Sequence, residues 1–429
     1  VLLGVYPGFF VYDATDEIIE VITRNFNTHH PLLHVLFMGG IVQAGYKIFG
    51  NYNVGIFIFT LIQMVVFAIG VVWTVYKMSV FKFGRKLCRV TVLFMGLLPV
   101  IPMIVLCSCK DSAFALVMLI WLVETYDLMY MGNNKASFSW CVLTVLMCLL
   151  RNNAIYALLI SGILIIILLK NNRKKYIIMF SGSIVVALCI SVMLGMVLKA
   201  SDSENQEMLT VPIQQIARTY NLDENAFSDD EKELLYEYIP REYLEKYRVK
   251  LSDGVKIGFV NSKYEGDKAG FWRIWFKGLI KSPISYLNAW IMTSYGYWYP
   301  DTIVDVYSGN EVYTFTYDKN SFFAYETEYP GQRDSIIPMI DNFYKKLSLD
   351  IYKEKLPVLS MFFSMGAIFW VWVLLIGYVV KNRGIRGIVP YIMPIMTWCT
   401  FLLGPTYLPR YIFFMWLGIP FIVGDAYKK

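Results

Sequence analysis

His29, His30 and His34 are the only histidines in the chain, and they lie within six residues, shortly after an acidic run holding Asp13, Asp16 and Glu17. Imidazoles and carboxylates are the groups that move protons near neutral pH. Three further positions combine charge with an apolar boundary: Lys110-Asp111, Arg151 and Arg410-Tyr411. A carboxylate at a water–lipid boundary can take the proton of a hydroxyl. Asp13 is the first candidate for that role and Asp16 the second. Arginine matches phosphate oxygens with two parallel donors, so Arg151 and Arg410, with Lys110 beside them, suit a bound phosphate. Each residue also has a plainer reading: a solvated helix-start acid for Asp13 and Asp16, an N-cap for Asp111, a headgroup anchor for the arginines. His29 and His30 suit hydrogen bonding to a donor or acceptor better than metal ligation, although a divalent ion could sit between Asp13 and Asp111.

The elements that must position these residues are membrane helices. The chain is 57% hydrophobic and 17% charged over 429 residues, with mean hydropathy +0.49, a balance that belongs to polytopic membrane proteins. Apolar runs fall near 54–76, 90–108, 112–131, 137–150, 154–169, 176–198, 357–380, 388–404 and 409–424. Val1–Val11 resembles the tail of a further span, and the missing initiator Met implies residues upstream. The expectation is about ten transmembrane helices. The net charge of +6 is no nucleic-acid signal, because the basic residues cluster between spans. Lys77–Arg89, Lys170–Lys175, Lys381–Arg386 and Lys428-Lys429 mark cytoplasmic loops by the positive-inside bias. Even numbers of spans separate them, so the candidate residues fall together on the outer side. Residues 31–50 carry His34, Gln43 and Lys47 and read as an amphipathic or re-entrant helix at the outer interface. If they crossed instead, Asp13 and the histidines would move to the cytoplasm.

Three domains follow: an N-terminal transmembrane module (1–199), an extracytoplasmic domain (200–356) and C-terminal transmembrane helices (357–429). The middle segment holds 25 of the 33 acidic residues and reads as mixed α/β. Ser228-Asp229-Asp230-Glu231 is a capping box opening a helix. Pro212–Tyr220 reads helical, and Val312–Tyr317 with Phe322–Tyr325 reads as a β-hairpin. Arg273, Lys277 and Lys281 form a basic stripe opposite Trp272, Trp275 and Phe276, as in a helix lying among headgroups. The seven cysteines sit in or beside spans, which argues against a disulfide-built ectodomain. Cys107-Ser108-Cys109 reads as apolar filler.

Taken in order, Tyr12-Asp13, His30-Pro31-Leu32, Lys47-Ile48-Phe49-Gly50, a basic loop, Asp111 opening a span, Arg151 topping another and Arg410-Tyr411 opening the last form a pattern over 1–170 and 405–425. The pattern resembles the GT-C superfamily, integral-membrane glycosyltransferases that take sugar from a polyprenyl-phosphate carrier. Two departures stand out: Pro31-Leu32 replaces a frequent Pro-Pro, and His29 doubles the histidine. Residues 200–356 carry no part of the likeness. The resemblance implies a GT-C-like helical fold in a bacterial plasma membrane, with the active site facing outward. The implied reaction transfers a sugar from a polyprenyl-phosphate donor to a glycan, lipid or protein acceptor in the cell envelope. Asp13 and Asp16 would be catalytic, Arg151, Arg410 and Lys110 would hold the donor phosphate, and His29, His30, Asp111 and Tyr411 would bind substrate. A polysaccharide polymerase or ligase would share this layout. A transporter or flippase would instead place ionisable groups at mid-membrane, often within inverted repeats.

Overall fold

The computed structural model describes residues 1–169, 173–223, 225–302, 304, 329–349 and 358–428. Most of this is helical. The N-terminal module holds α1 (Tyr12–Thr23), α2 (Leu32–Phe49), α3 (Tyr52–Val80), α4 (Arg85–Leu97), α5 (Val100–Val105), α6 (Lys110–Tyr126), α7 (Ala136–Leu150), α8 (Ala154–Leu168) and α9 (Arg173–Leu198). The acidic segment adds α10 (Thr210–Leu222), α11 (Asp229–Tyr238), the short turns α12 (Arg241–Leu244), α13 (Asp253–Lys256) and α14 (Asn261–Gly266), then α15 (Lys268–Lys281), α16 (Pro283–Ser294) and α17 (Pro338–Leu349). The chain closes with α18 (Met365–Arg383), α19 (Val389–Phe401) and α20 (Phe413–Tyr427). Among the described residues, five helices are long and apolar enough to cross a membrane: α2, α3, α6 with its π-helical extension to Met131, α9 and α18. The protein is an α-helical membrane protein.

Helix α6 is the axis of the bundle. It is buried on nearly every side and packs against α3, α7, α19 and α20. Its C-terminal end is fixed by polar contacts: Lys77 Nζ meets Asp127 at 2.6 Å, Lys428 meets the Tyr126 hydroxyl at 3.2 Å, and Arg383 meets Asp425 at 2.5 Å. Lys175 bonds Asn134 nearby. The basic loops therefore gather at one end of the bundle. The N-terminus of α6 lies about 24 Å away, at 1.5 Å per residue.

Helix α2 has the length and composition of a span, yet both its ends stay at the α6 N-terminal end. Its first turn packs on Leu194 and Leu198, where α9 finishes. Its last turn meets the start of α3, where Tyr46 stacks on Tyr52 with ring centroids 4.0 Å apart. Gly45 and Gly55 let the two backbones touch at the crossing, as small residues do between membrane helices. The start of α3 is in turn tied to Gln332 through Asn53. Only the remainder of α3 runs on to the basic end.

Two apolar runs take other shapes. Residues 90–108 are not one span: α4 stops at Leu98, extended ahead of Pro99, and a separate short α5 follows. The proline ring clashes with a helical preceding residue, so the break lies where the sequence puts it. Near the N-terminus, Leu2–Val5 form a single 3-10 turn against α17 and not a span tail.

The described residues of 200–302 fold on the same end as the α6 N-terminus, around a core that includes Ile213, Ile216, Leu235, Tyr238 and Phe271. Ser252 N–H donates to Pro405 O, Trp290 Nε1 to Leu402 O and the Tyr297 hydroxyl to Thr406 O, which pins this domain to the α19–α20 turn. The capping box forms at Ser228 and Glu231, and Pro212–Tyr220 lies inside α10. Helix α15 differs from the headgroup reading. Phe271 and Ile274 enter the domain core, and Lys277 and Lys281 both pair with Glu231. Its basic stripe is thus partly neutralised within the domain. The expected hairpin at 312–317 and 322–325 lies outside the described residues.

Candidate functional site

Two short strands build the site. β1 (Phe9–Phe10) and β2 (Cys107–Ser108) pair in parallel, Phe9 opposite Cys107 and Phe10 opposite Ser108. Each strand runs directly into a helix, β1 into α1 and β2 into α6. Parallel pairing therefore sets the two helix N-termini side by side and brings Asp13 level with Lys110 and Asp111. Gln63 of α3 locks the arrangement, its Nε2 donating to Val105 O at 2.6 Å and Cys107 O at 2.8 Å. Gly8 makes the turn into β1 at φ +150°, where a Cβ would stand 2.7 Å from Thr60 Oγ1. Both acids occupy first turns, where the helix dipole favours negative charge.

Three cations meet three carboxylates there. Lys110 Nζ lies 2.7 Å from Asp13, 3.4 Å from Glu17 and 3.2 Å from Nδ1 of His30. Arg410 grips both oxygens of Asp13, at 3.1 and 3.3 Å, and reaches Asp111 at 2.9 Å. Arg151 takes the other oxygen of Asp111 and donates from Nε to Asn153 at 3.2 Å. Both guanidinium carbons stand 4.8 Å from the ring centroid of Tyr411, and Arg151 also lies over Phe401 at 4.5 Å. Arg410 is carried by the turn Pro409–Ile412 just before α20, and Arg151 caps α7. Residues from five separate parts of the chain thus converge on one buried spot.

The charges shape one another. Burial opposes ionisation of Asp13, but Arg410 and Lys110 outweigh it and hold this carboxyl well below the usual range. Burial likewise opposes Glu17, yet His34 and then Lys110 bring it down to about 2. Burial and the Lys110 ammonium push His30 down to about 3, so its imidazole is neutral and accepts from Lys110. Two neighbours shift the other way. Burial and the Asp13 charge raise Asp16, and burial raises Glu20 to about 7.

Of the residues singled out from sequence, Asp13, Lys110, Asp111, Arg151, Arg410, His30 and Tyr411 come together. Asp16 does not: it is exposed on α1, one position before Glu17, which is 1% exposed. His29 is at the rim, 3.9 Å from Glu207 and edge-on to His30. Glu17 and His34 are not among the site residues the sequence points to, and both are central. Glu17 Oε2 meets His34 Nδ1 at 2.5 Å while its Oε1 faces Lys110. The signal for Glu17 is the Asp13/Glu17 spacing of four, which puts both on one helical face. Among the described residues no group of three or more His, Cys, Asp or Glu side chains is arranged to hold a metal. The space between Asp13 and Asp111 is filled by the Arg410 guanidinium.

Fold and site define a class: an α-helical membrane protein with a buried, charge-balanced network at one end of its bundle. The chain belongs to a family described as a family of unknown function, DUF6020, whose model matches residues 22–423. No curated protein and no solved structure matches it. His30, Lys110, Asp111, Arg151 and Arg410 lie inside the matched stretch, and Asp13 and Glu17 just before it.

Proposed function

We propose that this protein is a membrane glycosyltransferase. It moves a sugar from a polyprenyl-phosphate donor to an acceptor hydroxyl at the outer face of a bacterial plasma membrane. The observation that carries the reading is the convergence of Arg410, Arg151 and Lys110 on Asp13 and Asp111. Three cations thus face three carboxylates, Asp13, Asp111 and Glu17. Their partners are carboxylate oxygens, and phosphate oxygens offer the same planar, two-point geometry to arginine. A donor phosphate entering the network takes Arg410 and Lys110 away from Asp13, whose carboxylate is then free to accept a proton.

The charges follow the reaction. The acceptor oxygen bonds to the anomeric carbon as the bond from that carbon to the phosphate oxygen breaks, with inversion. The electron pair leaves with the phosphate, whose charge goes from −1 to −2. The hydroxyl proton goes to Asp13, so the protein gains one positive charge as the phosphate gains one negative. Preorganised donors aimed at developing charge are a large source of rate.

The basic loops gather at the opposite end of α6, which supports an outward-facing site. A transporter would need polar groups between the two ends. The middle of α6 offers Phe114, Leu119, Trp121 and Leu122, all buried and apolar, which counts against that reading. The test is a transfer assay with the purified protein in nanodiscs and a panel of radiolabelled polyprenyl-phosphate hexoses. Asp13→Asn is expected to lower turnover about 10²-fold or more, the usual worth of a positioned base, while Asp16→Asn stays near the parent. Equal turnover for Asp13→Asn and the parent would remove the catalytic assignment.

A further inference from the structure

A cleft of about 240 Å³ opens between α2, α3, α6 and the end of α7, and its walls are almost wholly apolar, among them Phe37, Phe59, Val66 and Leu116. Phe37 and Val66 on its rim are half exposed, and the exposed surface continues along α3 through Val65 and Ile69. That surface is the face a membrane helix turns to lipid, so whatever fills the cleft arrives from the bilayer. Three polar side chains reach the wall. Ser112 donates to Ile104 O, and Gln63 is committed to the carbonyls of 105 and 107. The third is His34, 2% exposed. Its Nδ1 is taken by Glu17, and its Nε2 has no hydrogen-bond partner among the described residues. A buried ring nitrogen without a partner is costly, and an apolar cleft beside it supplies none.

We propose that this cleft docks a lipid alcohol, an apolar chain ending in a hydroxyl, whose hydroxyl hydrogen-bonds to Nε2 of His34. This molecule is the sugar acceptor, an assignment that rests on the glycosyltransferase reading. With Nδ1 engaged by the Glu17 carboxylate, Nε2 is the ring nitrogen left for a ligand, and a hydroxyl, which both donates and accepts, is the lipid group that satisfies it. The second oxygen of Glu17 faces Lys110, so the docked hydroxyl borders the charge network. Glu17 stands four residues from Asp13 on α1, about 6 Å along the axis. The hydroxyl passes from His34 to Asp13 once the donor phosphate has drawn Arg410 and Lys110 away, and Asp13 takes its proton in the step written above. His34 is a positioning residue in this scheme and not the base.

The experiment uses the full chain in nanodiscs with three photoreactive lipids carrying a diazirine in the chain: a diacylglycerol, a polyprenol and a phosphatidylcholine with no free hydroxyl. At least one alcohol probe is expected to label peptides 33–37 and 59–67 about three- to tenfold above phosphatidylcholine, the range one neutral hydrogen bond gives. Comparing the two alcohols identifies the chain type. His34→Ala should bring labelling down to the phosphatidylcholine level. Ala113→Phe, which fills the cleft and leaves His34 and Glu17 in place, should do the same, so a misfolded His34 variant does not decide the matter. Equal labelling by all three probes would overturn the proposal, leaving a groove for bulk lipid. In the transfer assay His34→Ala should raise the acceptor KM and leave kcat within about threefold; a collapse of kcat would make His34 the base and overturn its positioning role. If the alcohol preference stands but no polyprenyl-phosphate hexose is used, the glycosyltransferase reading fails and the docking site survives. Transfer without any alcohol preference would keep the glycosyltransferase reading and remove the docking site.

Discussion

Arg410→Ala removes the residue that joins the two carboxylates of the site. In the structure Arg410 is 7% exposed and makes three charge-assisted bonds, two to Asp13 and one to Asp111. Without it, the buried Glu17 and Asp111 and the half-buried Asp13 face only Lys110 and Arg151, one cation fewer than the carboxylates. Breaking a buried ion pair from one side costs about 3–5 kcal/mol, because the orphaned charge stays buried. Asp13→Asn in the same chain restores neutrality. Its combination with Arg410→Ala should cost less than the sum of the single variants, by about 1–3 kcal/mol. The assay is equilibrium unfolding in mixed micelles titrated with SDS, followed by tryptophan fluorescence, for the parent, both single variants and the double. A loss below about 1 kcal/mol for Arg410→Ala, or strict additivity with Asp13→Asn, would refute the reasoning, since a buried charge network must show both effects.

Acid should destabilise the protein in two stages. His30 is lowered from 6.5 to about 3, so the unfolded chain takes up its proton first and stability falls as pH drops below about 6.5. Glu17 is lowered from 4.5 to about 2; its contribution, about 3 kcal/mol, is present above pH 4.5 and lost towards pH 2. In thermal melts across pH, His30→Asn should flatten the first stage and Glu17→Gln the second; unchanged profiles would contradict both assignments. Single cysteines at exposed Asn152 and Asp230, on a cysteine-free background, should label from outside intact cells. Lys86→Cys and Lys381→Cys should label only after permeabilisation, and any mixed pattern would break the shared-side arrangement. Gly55→Leu should force α2 from α3 at the Gly45 crossing and cost about 1–3 kcal/mol, read as a lower midpoint in the same SDS titration; a parent-like midpoint would mean the two backbones need not touch.

Local signals in this chain are legible where local physics decides. The capping box at Ser228, the helix over 212–220 and the basic clusters all depend on a few neighbouring residues. The site is legible in its residue types, because a carboxylate or arginine at the edge of an apolar run is conspicuous. Its inner arrangement is not. β1 and β2 have two residues each, too few for any alternation to register, yet their pairing aligns Asp13 with Lys110 and Asp111. The choice between Asp16 and Glu17 turns on which face of α1 meets α6, a tertiary fact that only the spacing of four from Asp13 hints at. The basic stripe of α15 points to headgroups in sequence, because its partner Glu231 lies on a different helix. Arg410 is nearly 400 positions from Asp13, a distance that no local pattern bridges.

The central claim is that the buried network holds a lipid-linked phosphate. Cryo-electron microscopy of the protein in nanodiscs loaded with polyprenyl phosphate tests it most directly. The account predicts phosphate density within hydrogen-bond reach of Arg410 and Lys110, with Asp13 drawn away from both. Saturating lipid with the Asp13–Arg410 and Asp13–Lys110 pairs intact and no phosphate beside them would contradict it.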